Sequence, residues 1–436
     1  MKRVERLLLH CSSGTVSGQH TVRQIIGFKT QSNYKRCIKE LSRHGIKPVK
    51  SIRQSRVISC LLDGRRTEQL QSLKNHPHVK YVEPDLKISS HGLSPAFIAP
   101  PSAAKAKRTN SRPLHCTAAT STYNRASRPL LLPPIFSNSA TISKEITWNI
   151  NRIQAPDVWA STCGEGVGIA IIDTGIASHP DLQIAGGVNT IDGSSYQDDN
   201  GHGTHVAGTA AALGTNGNIA GTAPKASLYA VKALDADGAG YVSDIIAGID
   251  WCIKKKIKVI NMSLGLQNAT SAALRDAVQR AYKQGIVIVA SAGNSGPNSG
   301  TIDEPASYSE TIAVAASTIA NGIADFSSRG SGIDIAAPGS IIRSTWLKNG
   351  YQVLSGTSMA CPHAAGSAAL ILAKEPNLTP AQVAERLRSS ALTLPGYVAQ
   401  SQGSGLLQIA DAMSKKNTNA AARRKRILQR RAGSRR

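Results

Sequence analysis

Three short stretches of this 436-residue chain hold the residue types that acyl transfer needs. IAIIDTG ends an apolar run in Asp173 and turns at Gly175. DNGHGTHVAGT sets His202 after a glycine-rich approach, and SGTSMACPHAAG places Ser358 ahead of a run of small residues. A serine becomes a nucleophile when a histidine takes its proton. The histidine does so best when a carboxylate orients the imidazole and stabilises the imidazolium. Pro362 costs least near a helix start, so the pattern predicts a turn at Ser355-Gly356 and a helix from about Ser358. That puts the hydroxyl at the positive end of a helix. Singly, each residue has a plainer use: Ser358 as an N-cap, Asp173 as a turn cap, His202 and His205 as a metal-binding pair.

Taken together, the three favour a triad. No HExxH or HxxEH glutamate accompanies the histidines, and a GxSxG elbow is absent because position 360 is alanine. The chain order Asp, His, Ser is that of subtilisin, not the His, Asp, Ser of chymotrypsin or the Ser, acid, His of α/β-hydrolases. VIVASAGNSG adds Asn294, which could aim its amide at a developing oxyanion beside the Ser358 N–H, or simply turn the chain next to Gly293.

The elements that must position these residues follow from periodicity. VGIAIID, SLYAVKAL, KVINMSLG, GIVIVASAG and TIAVAAS read as strands buried on both faces. HGTHVAGTAAAL, SDIIAGIDWCIKK and SAALRDAVQRAYKQG read as helices between them. The fold class is therefore α/β, a mostly parallel central sheet with helices on both faces. A small α/β unit precedes it at 21–88, with strands TVRQIIGFK, RVISCLL and VKYVEP and helices NYKRCIKELSRHG and TEQLQSLKNH. The expected organisation is an extension at 1–20, this unit at 21–88, a Pro/Ser/Ala-rich linker at 89–145, the large domain at 146–413 and a basic tail at 414–436.

Charge divides along the same lines. The net +24 splits into 25 Lys/Arg against 7 Asp/Glu before residue 146, 16 against 20 over 146–413, and 10 against none in the tail. A basic N-terminal unit beside a mildly acidic body fits docking of one on the other, and a nucleic-acid partner is not expected. The tail RRKRILQRRAGSRR is a solvated run that could also hold a polyanion. No apolar run reaches 18 residues, so no membrane span is expected. Seven scattered cysteines without a CxxC pair read as reduced thiols.

DTGIASHPDL, HGTHVAGT, GTAPKASLYAVKAL, VINMSLG, ASAGN and GTSMACPHAAG together resemble the subtilisin-like serine proteases, the subtilases, over roughly residues 146–413. The resemblance puts the family's Asp, His, Asn and Ser on Asp173, His202, Asn294 and Ser358, and makes His205 a second, non-catalytic histidine. It implies a clasp for an extended peptide built from Gly238-Ala239-Gly240 and Ser263-Leu264-Gly265. The first specificity pocket would be lined by Ser263–Gly265, by the Ala290–Asn294 stretch including Ala292 and Gly293, and by TIDEPAS. Asp303 departs from the family there, and we expect it to widen acceptance to Lys or Arg. Pro305 matches a proline often preceded by a cis bond.

The same resemblance implies structural calcium at Asp181 with Leu213, Thr215, Gly217 and Ile219, although the family's N-terminal glutamine ligand falls on Lys144. IIGFK, SRHG and NHPHVKYVEPD resemble the subtilase propeptide, which acts as an intramolecular inhibitor removed by self-cleavage. A cut is expected soon after Asp85, near Ser94–Phe97 or near Ser143. The implied protein is a monomeric, secreted endopeptidase acting on polypeptides, although MKRVERLLLHCSSGTV lacks the long apolar core of a standard leader.

Overall fold

A computed structural model describes Val4, Arg6 and Leu8, then residues 21–91, 146–215 and 219–414. Lys144, Gly217, the expected cut positions near Ser94–Phe97 and Ser143, and the basic tail lie outside the described residues.

The N-terminal unit is a four-stranded antiparallel sheet of β1 (Thr21–Phe28), β2 (Lys50–Ile52), β3 (Val57–Asp63) and β4 (Val79–Pro84), in the order β2-β3-β1-β4. Helices α1 (Gln31–Arg43) and α2 (Thr67–Lys74) cover one face. Side chains alternate across a strand, and β1 uses both sides. Ile26 and Phe28 pack with Tyr34, Cys37, Leu41 and Leu73 beneath the helices. Ile25, with Ile52 and Val57, joins a core that belongs to the large domain. The second face of this sheet is thus completed by another domain.

After β5 (Lys87–Ser90), the large domain holds seven parallel strands: β6 (Gly168–Asp173), β7 (Ile184–Asn189), β8 (Ser227–Lys232), β10 (Val259–Met262), β12 (Val287–Ser291), β13 (Thr311–Ser317) and β14 (Ile335–Pro338). Their order is β14-β13-β12-β10-β6-β8-β7, with every pairing parallel. Ile169 and Ile171 of β6 face one core, which includes α4 (His202–Ala211) and α7 (Thr357–Lys374). Ala170 and Ile172 face the other, under α5 (Val242–Lys255) and α6 (Ala272–Lys283). This two-sided burial is what the continuous apolar runs predict. The short helix α3 (Trp148–Arg152) opens the domain, and α8 (Pro380–Ser389) closes its far side with Thr379 capping Gln382 and Pro380 in the first turn.

The chain departs from β6 toward β8 on one side and β10 on the other. The carboxyl end of β6 is therefore a point where strand order reverses, the usual place for a site in an open parallel sheet.

Candidate active site

Asp173 is the last residue of β6, at that reversal point, and is fully buried. Its Oδ1 accepts from the Thr174 N–H at 2.7 Å and lies 2.7 Å from His202 Nδ1. His202 opens α4. Asp198, which sequence reasoning passed over, sets that helix start: its Oδ2 accepts from the Thr204 N–H at 2.9 Å and from the Thr204 hydroxyl at 2.6 Å. The spacing of Asp198 from Thr204 in QDDNGHGT was the available signal. Burial alone would lower the His202 pKa; the charge and hydrogen bond of Asp173, with Asp198 behind them, outweigh it and raise the value. His202 Nε2 is buried and has no hydrogen bond.

Ser358 lies in the first turn of α7, after Gly356. Pro362, inside that helix, has no N–H to give the carbonyl four residues earlier. The Ser358 carbonyl accepts instead from Ser263 Oγ at 2.9 Å, and the Ser358 hydroxyl donates to the Ser263 carbonyl at 2.9 Å. The proline therefore ties the helix start to β10's exit.

His205, one turn beyond His202, lies within hydrogen-bond distance of the Ile342 and Gln352 carbonyls through Nε2, at 3.0 and 3.1 Å, while its Nδ1 is buried without a partner. Burial, then the neighbouring His202, push it down to about 3. Among the described residues no group of three or more His, Cys, Asp or Glu is placed to hold a metal ion.

Asn294 follows β12. Its Oδ1 accepts from the Thr357 N–H at 3.0 Å and hydroxyl at 2.9 Å, which turns its amide outward. Nδ2 then donates to the carbonyl of His91 at 2.5 Å. A peptide carbonyl thus sits on Asn294 beside the α7 start. Gly356 makes room for it: a Cβ there would stand 2.2 Å from that oxygen.

His91 arrives by a route the sequence hid. The linker is expected to begin at Ser89; in the structure, regular pairing continues through β5. This strand lies antiparallel between β9 (Ala239–Tyr241) and β11 (Leu264–Gly265). Ile88 pairs with Gly240, Ser89 with Ala239 and Gly265, and Ser90 with Leu264. Ser90 N–H donates to the Gly238 carbonyl at 3.0 Å, and His91 N–H to the Ser263 carbonyl at 3.2 Å. KISSH carries no local strand signal, because both partners are distant in sequence.

The rest of the N-terminal unit is anchored on α5 and α6. Asp85 accepts from Arg23 Nε at 2.7 Å, Ser243 N–H at 2.9 Å and Ser243 Oγ at 2.8 Å, capping α5. Glu83 accepts from Ser271 Oγ at 2.6 Å and from the Ala272 and Ala273 N–H groups at 3.1 Å each, capping α6. Carboxylates at helix amino termini are stabilising. Lys50 with Asp244 and Lys80 with Asp276 add cation–carboxylate pairs in the sense the regional charges predict.

Of the remaining expected residues, Ala292 is buried and its carbonyl accepts from the Asp303 N–H at 3.0 Å. Gly293 N–H donates to Thr357 Oγ1 at 3.2 Å. Asp303 reaches the pocket that holds the His91 ring, and the Glu304–Pro305 bond is cis. Asp181 is buried: Oδ1 accepts from Thr215 N–H at 3.0 Å and hydroxyl at 3.2 Å, and its own carbonyl from the Leu213 N–H at 2.9 Å. Leu213 bridges Ala220, next to Ile219.

A profile described as the subtilase family matches residues 164–418. Subtilisin Savinase of Lederbergia lenta is 45% identical over 267 residues, 61% of this chain and 97% of the relative. Subtilisin DY of Bacillus licheniformis is 48% identical over 257 residues, 58% and 93%. The minor extracellular protease Epr of Bacillus subtilis is 44% identical over 265 residues, 60% of this chain and 41% of that protein. With the profile spanning more than half of its length, the chain belongs to the subtilase family and is a subtilisin-like serine endopeptidase.

Proposed function

We propose that the chain cleaves polypeptides through Ser358, His202 and Asp173 by way of an acyl-enzyme, and that it is made as a zymogen held shut by residues 21–91 until it cuts itself. The observation that carries this reading is the His91 carbonyl on the Asn294 amide, presented by a strand clasped between β9 and β11. Substrate would lie there by the same strand addition.

In the reaction, the Ser358 hydroxyl leaves the Ser263 carbonyl and turns to His202 Nε2, which is free to take its proton. The oxygen attacks the carbonyl carbon, and Asn294 Nδ2 with the Ser358 N–H stabilises the oxyanion. Asp173 keeps Nδ1 protonated and Nε2 the acceptor. His202 then gives the proton to the leaving amine, and water reverses the sequence to free the acid. The Glu83 and Asp85 caps, with the basic face of the N-terminal unit, support its role as inhibitor and folding template.

Calcium fits the residues around Asp181. Burial raises the Asp181 pKa, and the Thr215 hydrogen bonds only partly offset it, so a cation beside this carboxylate would stabilise its charged form. Asp181 and Thr215 oxygens with the Leu213 and Ile219 carbonyls suit a hard cation that would brace the β6–α4 side. Among the described residues no helix is long and apolar enough to cross a membrane. The extracellular relative Epr supports secretion.

The test is incubation of purified wild-type and Ser358→Ala chains, alone and with casein. Self-shortening and casein hydrolysis in wild type only are expected. Equal behaviour of the two would end the reading.

A further inference from the structure

The His91 ring fills a pocket that neither the triad nor the main-chain clasp requires. Gly265 forms one wall: a Cβ there would meet His91 Cε1 at 2.3 Å, so only glycine admits the ring. A Cβ on Gly293 would stand 2.9 Å from Asp303 Oδ2. At the floor, Asp303 Oδ2 lies 2.9 Å from His91 Nε2, and Ser291 Oγ lies 2.7 Å from Nδ1. Both ring nitrogens thus face oxygens: the Asp303 carboxylate can only accept, whereas the Ser291 hydroxyl can accept or donate.

The Asp303 side chain is only 8% exposed. Among the described residues, His91 is the cationic-type side chain paired with its carboxylate, at 2.9 Å. A carboxylate so placed is an uncompensated buried charge once its partner leaves. The pocket therefore favours an occupant that brings a positive charge.

We propose that the first self-cleavage falls on the His91–Gly92 bond, and that Asp303 selects a cationic residue (His, Lys or Arg) on the acyl side of the bonds this enzyme cuts. The proposal rests on the triad reading above and adds where the cut falls and which side chain it reads. Ser358 Oγ adds to the His91 carbonyl carbon as its proton passes to His202 Nε2. The carbon–nitrogen bond to Gly92 breaks, and His202 protonates the departing amine. Water then hydrolyses the Ser358–His91 ester, and His91 leaves as a carboxylate. Gly92 becomes the new amino terminus, so residues 92–145 stay attached to the catalytic domain at this stage instead of departing with the inhibitor.

The test is a time course of self-shortening of the full chain, read by amino-terminal mass analysis, with Ser358→Ala, His91→Glu and His91→Glu/Asp303→Asn. Cleavage of a peptide library by mature wild type and Asp303→Asn accompanies it. The earliest new terminus is expected at Gly92, absent in Ser358→Ala. His91→Glu sets two carboxylates together and is expected to slow the first cut about 10- to 100-fold, with Asp303→Asn recovering most of the loss. In the library, Asp303→Asn is expected to lower the kcat/KM ratio of His, Lys or Arg over Leu at that position by about 10- to 100-fold. A wild type that cuts itself first at another bond, or a library profile unmoved by Asp303→Asn, overturns the proposal. A wild type that neither shortens nor cleaves any peptide fails the triad reading itself, and this proposal with it.

Discussion

Replacing His205 by glutamine should flatten the acid sensitivity of this protein. His205 is fully buried and held down to about 3, whereas an unfolded histidine titrates near 6.5. The sign follows from proton counting. Below about pH 6.5 the unfolded ring binds a proton and the native ring does not, so stability present above that pH is lost progressively as pH falls toward about 3. At pH 4.5 the unfolded ring is almost wholly protonated and the native ring almost wholly neutral. Integrated from pH 7.5 to 4.5, with a slope that rises to about 1.4 kcal/mol per pH unit below pH 6.5, the loss is about 3 kcal/mol. The structural cause is Nδ1, buried without an acceptor, so a proton there would be an unpaired charge. His202 works in the opposite sense, because its raised value favours the native state at low pH, and it is present in both proteins. The assay is urea unfolding of the full Ser358→Ala chain, with and without His205→Gln, from pH 7.5 to 4.5. Glutamine can still donate to the Ile342 or Gln352 carbonyl, so the level of stability should change less than its slope. Relative to His205→Gln, wild type is expected to lose about 3 kcal/mol between pH 7.5 and 4.5. Parallel curves would refute the reasoning.

Three further outcomes follow from the site. Asp173→Asn should lower kcat by about 10⁴ through loss of the tautomer that leaves Nε2 free, and the pH midpoint of kcat/KM, above 6.5 in wild type, should fall; a drop under tenfold would contradict the assigned role. Asn294→Leu should cost roughly 10²–10³ in kcat at nearly constant KM, the size known for the oxyanion donor of subtilisin. A matching change in KM would place Asn294 in ground-state binding instead. Asp85→Asn leaves Arg23 and the α5 start without their carboxylate. At about 2 kcal/mol it should shorten the lag between self-cut and full activity roughly 30-fold, and an unchanged lag would mean that this cap does not hold the inhibitor.

Asp173, His202, Asn294 and Ser358 were legible because each sits in a short motif at an element boundary, where the strand or helix period breaks into glycines and small residues. Five of the seven parallel strands were equally plain, since burial on both faces leaves unbroken apolar runs; β14, only four residues long, was not read. Strand β7, IAGGVN, was not, because its glycines erase the pattern. Strand β5 was missed for a different reason. KISS is polar and lies past a proline, and its strand character comes wholly from partners near Gly240 and Leu264. Glu83 and Asp85 read as a strand end, yet they cap helices of another domain, and no local window contains both halves of such a contact. Asp303 could be placed near the pocket from the sequence, but its partner His91 could not.

The central claim is that Ser358 is the nucleophile. The direct measurement is fluorophosphonate labelling of self-processed wild type and of Ser358→Ala, with the adduct mapped by peptide mass. A single adduct on Ser358, blocked by prior denaturation and absent from Ser358→Ala, is expected. An adduct on another residue, or equal labelling of the two proteins, would contradict it.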